Sequence, residues 1–240
     1  MNLSKVSIIL PTYNEAGHIV ELISRIISNI PLNWAYEVVV VDDNSPDGTY
    51  DVVRNAFCDN VSVVPISRTT DRGLAKSIRR GIEKATGDYV IVMDSDFTHD
   101  PKEIPRMLHV GAIYDIISGS RFCPGGSMQD TRHYIASLLY NWFIRLVVRT
   151  QIQDNLGGFF LIRKTMLSQL PYDEIFFGYG DYYFRLLHYA QSAGMSVVEI
   201  PARYNLRLTG ASKSSFLSMF LSYTVASIRL RCRTKKHGHL

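Results

Sequence analysis

The first half of the chain alternates short apolar runs with stretches of helical periodicity. VSIIL (6–10) is followed by Ile19, Leu22, Ile23, Ile26, Ile27 and Ile30 at helix spacing, then by VVVV (38–41). VSVVPI (61–66) precedes a second helical pattern through Leu74, Ile78, Ile82 and Ala85, which stops at Gly87 before YVIVMD (89–94). Strands that are apolar on both faces, separated by amphipathic helices, predict a mostly parallel α/β sheet covered on both sides. The second half is less regular. Strands are expected at 115–121, 157–163 and 196–201, and helices at 134–148 and 181–194, the latter stopping at Gly194. No internal repeat, low-complexity linker or composition break marks a second domain.

In a sheet of this kind the ligand sits beyond the carboxyl ends of the strands. Polar, turn-forming segments stand there: PTYNE (11–15), DDNSPDG (42–48) and DSDFTHD (94–100). Any one of them is ordinary turn chemistry. Three of them converging on one edge predict a site.

The 240 residues, 46% hydrophobic, suffice for a full core. The net charge of +4 is unevenly placed, because RLRCRTKKHGHL (229–240) holds five Lys or Arg and no acid. Taking those five from 26 leaves 21 basic residues against 22 acidic ones. The basic character is thus a terminal feature, suited to an anionic surface and not to nucleic acid along the whole molecule. Cys58, Cys123 and Cys232 form no CxxC pair, which argues against a disulfide scaffold or a zinc site and suits a reducing compartment. MNLSKVSIIL carries no signal-peptide pattern, so secretion is not expected.

Asp94 and Asp96 are two positions apart, and on a continuing strand they would share a face. Paired carboxylates call for a cation, and without a His or Cys cluster the fit is Mg²⁺ or Mn²⁺ with open positions for phosphate oxygens. His99 is a further candidate ligand, although a lone loop histidine is more often simply hydrogen-bonded. Asp100 before Pro101 reads as a helix N-cap and stays outside the site. Tyr13 offers a ring for stacking on a base, and Glu15, Asp42 and Asp43 offer acceptors for base and ribose groups. Arg207 and Lys213, flanking Gly210, would neutralise a departing diphosphate. The uncharged run 214–228 is too short to span a bilayer. It leads into the basic tail, which suits an interfacial segment, as does 134–148 with Tyr140, Trp142 and Phe143; either can equally be a buried or oligomer-interface helix.

PTYNE, VVVVDDNSPDGT (38–49), MDSDFTHDP (93–101), GSRF..GG (119–126) and R..G.SK (207–213) fall in an order that resembles the family 2 glycosyltransferases of GT-A fold, nearest the dolichyl-phosphate mannose synthase branch. The resemblance implies a single Rossmann-like GT-A domain over 1–213, followed by an amphipathic, basic segment over 214–240. It implies that Pro11, Tyr13, Glu15 and Asp42 hold the nucleotide, and that Asp94 and Asp96, with Ser95 between them, hold the metal and the sugar diphosphate. Arg121 and Arg132, with Arg207 and Lys213, would contact donor and acceptor phosphates. The implied reaction is inverting transfer of mannose or glucose from GDP-mannose or UDP-glucose to a polyprenyl phosphate. Asp96 and Arg121 would be catalytic. With these interfacial segments the protein is expected at the cytoplasmic membrane face, and because no run is long enough to span a bilayer, a membrane-anchoring subunit or homo-oligomer is an expected partner.

Departures from the branch pattern leave the enzyme class standing and the exact sugar and acceptor open, and two other readings stand beside the first. DNLGGFF (154–160) has Leu156, Gly157 and Phe160 where the family pattern has Thr, Ser and Arg, Ala75 replaces a usual Gly, and Thr98 stands where some relatives supply an amide ligand. The first alternative is transfer to a glycan hydroxyl, with Asp181 in FFGYGDYYF as general base; Asp181 is equally a candidate helix cap. The second is a non-catalytic, receiver-like module using Asp42 and Asp43, which leaves the DSD segment unexplained.

Overall fold

The computed structural model describes residues 3–129, 131–205 and 216–236. In chain order the elements are β1 (Lys5–Thr12), α1 (Ile19–Asn29), β2 (Ala35–Asp42), α2 (Thr49–Ala56), β3 (Val63–Ser67), α3 (Leu74–Lys84), β4 (Tyr89–Val92), α4 (Ile104–Val110), β5 (Ile116–Ser120), β6 (Ser127–Met128), α5 (Thr131–Val148), β7 (Phe160–Arg163), α6 (Lys164–Leu167), α7 (Tyr172–Ile175), α8 (Tyr182–Ser192), β8 (Val197–Pro201), β9 (Arg203–Tyr204) and α9 (Phe216–Lys236). Seven strands form one sheet in the order β3-β2-β1-β4-β7-β5-β8, and β6 pairs with β9 separately. All pairings in the large sheet are parallel except those of β7, which runs antiparallel to both β4 and β5.

The strand alternation builds two cores. Val6, Ile8 and Leu10 of β1 point to one face and pack with Ile19, Leu22, Ile23 and Ile26 of α1 and Ile104, Met107 and Leu108 of α4. Ile9 points the other way, toward Ala75, Ile78 and Ile82 of α3 and Leu186 and Leu187 of α8. Helix α3 lies so close to β1 that a Cβ on Gly81 would fall 2.3 Å from Ile9 Cγ2. Each fully buried Ile or Leu of α1 contributes roughly 1.5–3 kcal/mol through removal from water. A third cluster joins α5, α8 and α9 through Ile144, Val148, Phe184, Tyr223 and Leu230.

Several boundaries differ from the sequence expectation. The strand expected at 157–163 begins only at Phe160, because Gly158 turns the chain at φ +72° and a side chain on Gly157 would meet Tyr204 and Asp154. Helix α5 starts at Thr131, not at 134. Asp100 caps the 3₁₀ turn Pro101–Glu103, its side chain accepting the Lys102 N–H, with Pro at the first helical position.

Candidate active site

The ends of β2, β1 and β4 lie side by side, so the loops 42–49, 12–18 and 93–100 meet on one edge. The first two are bolted together. Ser45 Oγ accepts the Asn14 N–H at 2.9 Å, Thr49 Oγ1 accepts the Glu15 N–H at 2.9 Å, and Asp47 Oδ2 accepts the Ala16 N–H at 3.0 Å. Asn14 and Asn44 take left-handed conformations at φ +61° and +55°, which asparagine tolerates. Asp42 is buried and accepts the Ser45 N–H at 2.9 Å and the Ser45 hydroxyl. Asp43 is buried too: Oδ1 receives Arg68 Nη1 at 3.0 Å and Ser77 Oγ at 2.7 Å, and Oδ2 receives the Gly73 N–H at 2.7 Å. Asp43 thereby fixes the turn before α3, which places the Arg72 guanidinium 5.0 Å over the ring of Tyr13.

The DSD segment is not a continuing strand. β4 ends at Val92, and Phe97 turns the chain at φ +65°, a strained conformation for a bulky residue. The shared-face argument for Asp94 and Asp96 therefore fails; a tight loop presents them instead. Packing holds that loop in place. Phe97 is buried beside His18, with Arg25 of α1 at 4.9 Å from its ring centroid, and Ser95 Oγ donates to Pro11 O at 2.9 Å. His18 Nε2 lies 3.1 Å from Ser95 O and 2.9 Å from Glu15 Oε2. Asp96 is buried, with Oδ1 accepting the Thr98 N–H at 3.1 Å and the Thr98 hydroxyl, whereas the Asp94 side chain is 43% exposed. Asn205, after β9, donates its N–H to Thr98 O at 3.1 Å and clips the far side of the loop.

Among the described residues no cluster of three or more His, Cys, Asp or Glu side chains is poised to enclose a metal. Two carboxylates on a rigid loop, one of them half-exposed, still fit a hard divalent ion whose remaining positions go to diphosphate oxygens and water.

Arg121 follows β5 and is buried against Asp154. Its N–H and Nε reach Asp154 Oδ2 at 3.0 and 2.8 Å, and its Nη2 reaches Oδ1 at 2.7 Å. The guanidinium lies 4.8 Å over Tyr204 and 5.0 Å over Phe122. Burial lowers its pKa, but Asp154, with a smaller contribution from Asp94, raises it further, so the charge is permanent. Glu199 of β8 braces Asp154 by accepting the backbone N–H groups of Gln153 and Asp154, each at 2.9 Å. In the sequence Asp154 stands out only as the first residue of DNLGGFF, with no role, and Glu199 does not stand out at all. Asp154 stands 33 positions from Arg121, and only the packing of β5 against the 150–159 segment pairs them.

Asp181 stands at the N-terminus of α8 and is buried. Its Oδ1 accepts the Tyr179 N–H at 2.8 Å and its Oδ2 pairs with Arg185, which also donates to Ile175 O and Phe177 O. It makes no side-chain cap bond to the helix. Tyr223 of α9 holds the same loop by accepting the Gly180 N–H at 2.9 Å. Arg132 is described only as a backbone position in the first turn of α5, and Arg207 and Lys213 lie outside the described residues.

A family model described as Glycosyl transferase family 2 matches residues 7–170. The chain belongs to that family. It is 34% identical over 223 residues to a dolichol-phosphate mannosyltransferase of Pyrococcus furiosus, covering 90% of this chain and 61% of the relative, so it spans less than two thirds of that protein. It is 32% identical to an undecaprenyl-phosphate mannosyltransferase of Micrococcus luteus over 88% of each chain, and 30% identical to a polyprenol monophosphomannose synthase of Mycolicibacterium smegmatis over 87% of this chain and 80% of the other. Glucosyl-3-phosphoglycerate synthase from Mycobacterium tuberculosis, solved with Mn²⁺, UDP and phosphoglyceric acid, shares the fold at a TM-score of 0.68 and 18% identity, covering 95% and 78% of the two chains. The mostly parallel seven-stranded sheet is thus a GT-A fold.

Proposed function

We propose that this family 2 glycosyltransferase moves a hexose, mannose or glucose, from a nucleotide sugar to a polyprenyl phosphate. The observation that carries the choice of acceptor is the state of Asp181. Both oxygens of the one acid suggested as a base for a hydroxyl acceptor already hold partners from its own loop and helix. A lipid phosphate is ionised near neutral pH and needs no base, only orientation. The three relatives named for polyprenyl-phosphate chemistry support the same choice.

In this reading Pro11, Tyr13, Glu15 and Asp42 form or line the nucleotide end, with Asp43 shaping it through the turn at Gly73. Asp94 and Asp96 would hold Mg²⁺ or Mn²⁺, which when bound supplies positive charge to the diphosphate leaving group. An acceptor phosphate oxygen attacks the anomeric carbon from the face opposite the nucleoside diphosphate. One C–O bond forms as the other breaks, so an α-linked donor gives a β-linked product. Arg121, with its charge shared by Asp154, serves to orient the acceptor more than to neutralise it, and Arg132, Arg207 and Lys213 supply the remaining positive charge.

The reading places the protein at the cytoplasmic membrane face. Among the described residues no helix is long and apolar enough to cross a membrane. Exposed apolar side chains on α5 and α9 support interfacial contact, completed by an anchoring subunit or a second copy, and the three free cysteines fit a reducing compartment.

The test is incubation with radiolabelled GDP-mannose and UDP-glucose and a short polyprenyl phosphate, with partition into organic solvent. Label should enter the organic phase with Mn²⁺ or Mg²⁺ and not with EDTA or in Asp96→Ala. Label appearing only in water-soluble glycan would reject the acceptor assignment.

A further inference from the structure

His99 is fully buried, its ring stacked on Phe159 at 4.8 Å between centroids and 12° between planes, with Tyr204 edge-on at 4.7 Å. Its Nδ1 lies 2.8 Å from the backbone nitrogen of Asp94. A backbone N–H can only donate, so Nδ1 accepts and the ring proton sits on Nε2. Nε2 is buried and has no hydrogen-bond partner. A buried donor left unmade is destabilising, and its retention beside the acidic loop calls for an explanation. Near it is Asp94 Oδ2 at 3.7 Å, outside hydrogen-bond range, on a side chain that is 43% exposed.

We propose that His99 is a positioning residue for Asp94. When Asp94 takes up a divalent cation, its carboxylate turns so that one oxygen accepts the His99 Nε2–H and the other faces the ion. The ring then fixes both the backbone and the side chain of one ligand, and the aromatic slot of Phe159 and Tyr204 fixes the ring. Hydrogen bonds behind metal ligands orient them and raise affinity in this way. The inference rests on the reading of Asp94 and Asp96 as the metal site.

The experiment is Mn²⁺ binding, with and without GDP or UDP, followed by the electron paramagnetic resonance of free Mn²⁺ and therefore independent of turnover. His99→Phe keeps the stacked ring and removes both nitrogens, and should weaken Mn²⁺ binding by roughly 10- to 100-fold. His99→Gln carries an amide N–H at the ε position and should recover most of the loss; His99→Asn, whose amide stops at the δ position, should not. Equal Mn²⁺ affinity in wild type and His99→Phe, or in the Gln and Asn variants should the Phe variant not fold, overturns the role of His99 alone. Wild-type protein that binds no Mn²⁺ overturns the metal site and this role together.

Discussion

Asp181 organises the 175–181 segment. Arg185 is buried, pairs with its carboxylate, donates to the Ile175 and Phe177 carbonyls, and lies 3.8 Å over the Phe177 ring. Asp181→Asn leaves that guanidinium without its counter-charge, and removing one partner of a buried pair costs about 3 kcal/mol. The variant should therefore lose stability on that scale in denaturant titration while turnover with polyprenyl phosphate stays within about tenfold of wild type. A loss of several orders in kcat in a variant of wild-type stability would restore the base. The same contrast explains what could be read of the site before the fold was known. Asp94, Asp96 and Tyr13 follow strand ends and could be placed from the pattern alone. The partners of Arg121 and Asp43 could not, because only tertiary packing brings them together; of the partners of Asp181, Arg185 stands at i+4 on the expected helix and was within reach of the pattern, while the Tyr179 N–H reaches it only through a tight loop.

At the scale of elements, the opposite edge of the sheet is held by Glu37 of β2. It accepts from Ser7 and Lys5 of β1 and from the Thr86 N–H and hydroxyl before β4. Burial raises its pKa, but those hydrogen bonds outweigh burial and hold it at about 2, against 4.5 for the free group. A depressed acid contributes stability that is fully present above pH 4.5 and is lost as pH falls toward 2. The stability gap between wild type and Glu37→Gln should thus be widest at neutral pH and shrink between pH 4.5 and 2. A gap that does not change with pH would show that Glu37 acts by shape alone. Strands β1 to β4 and helices α1 and α3 around Glu37 were legible from apolar runs and 3.6-residue periodicity, whereas the eight-residue α2 between β2 and β3 was not expected. The direction of β7 was not legible either, since three buried apolar residues followed by Arg163 read alike whichever way the strand runs. The two-residue strands β6 and β9 carry too few residues for any period to show.

For the whole molecule, the distribution of apolar and basic surface argues for a bilayer beside the site. Leu138, Leu139, Trp142 and Leu146 of α5 are exposed at helical spacing, and Leu221, Val225 and Ile228 repeat the pattern on α9. The two helices pack together, as the Tyr140 hydroxyl donating to Phe220 O at 2.9 Å shows, so neither stripe is buried by the other. Asn141 of α5 faces inward and accepts the Asn155 N–H at 2.7 Å, next to the aspartate that holds Arg121. The surface proposed to rest on the bilayer would thereby be tied to the residue assigned to the lipid phosphate. Five cations follow Ile228 in the last twelve residues, which adds attraction to anionic headgroups. Binding should be tight to vesicles containing phosphatidylglycerol, weaker to neutral phosphatidylcholine vesicles, and weakened again by about 0.5 M salt, which shortens the Debye length. Placing charge in both stripes, Leu139→Glu with Leu221→Glu, removes two apolar side chains at roughly 1.5–3 kcal/mol each. Vesicle co-sedimentation should then fall by more than tenfold, and Mn²⁺ and nucleotide binding should remain as in wild type. Undiminished co-sedimentation of the double variant would rule out the paired helices as the contact and leave the basic tail alone to reach the membrane.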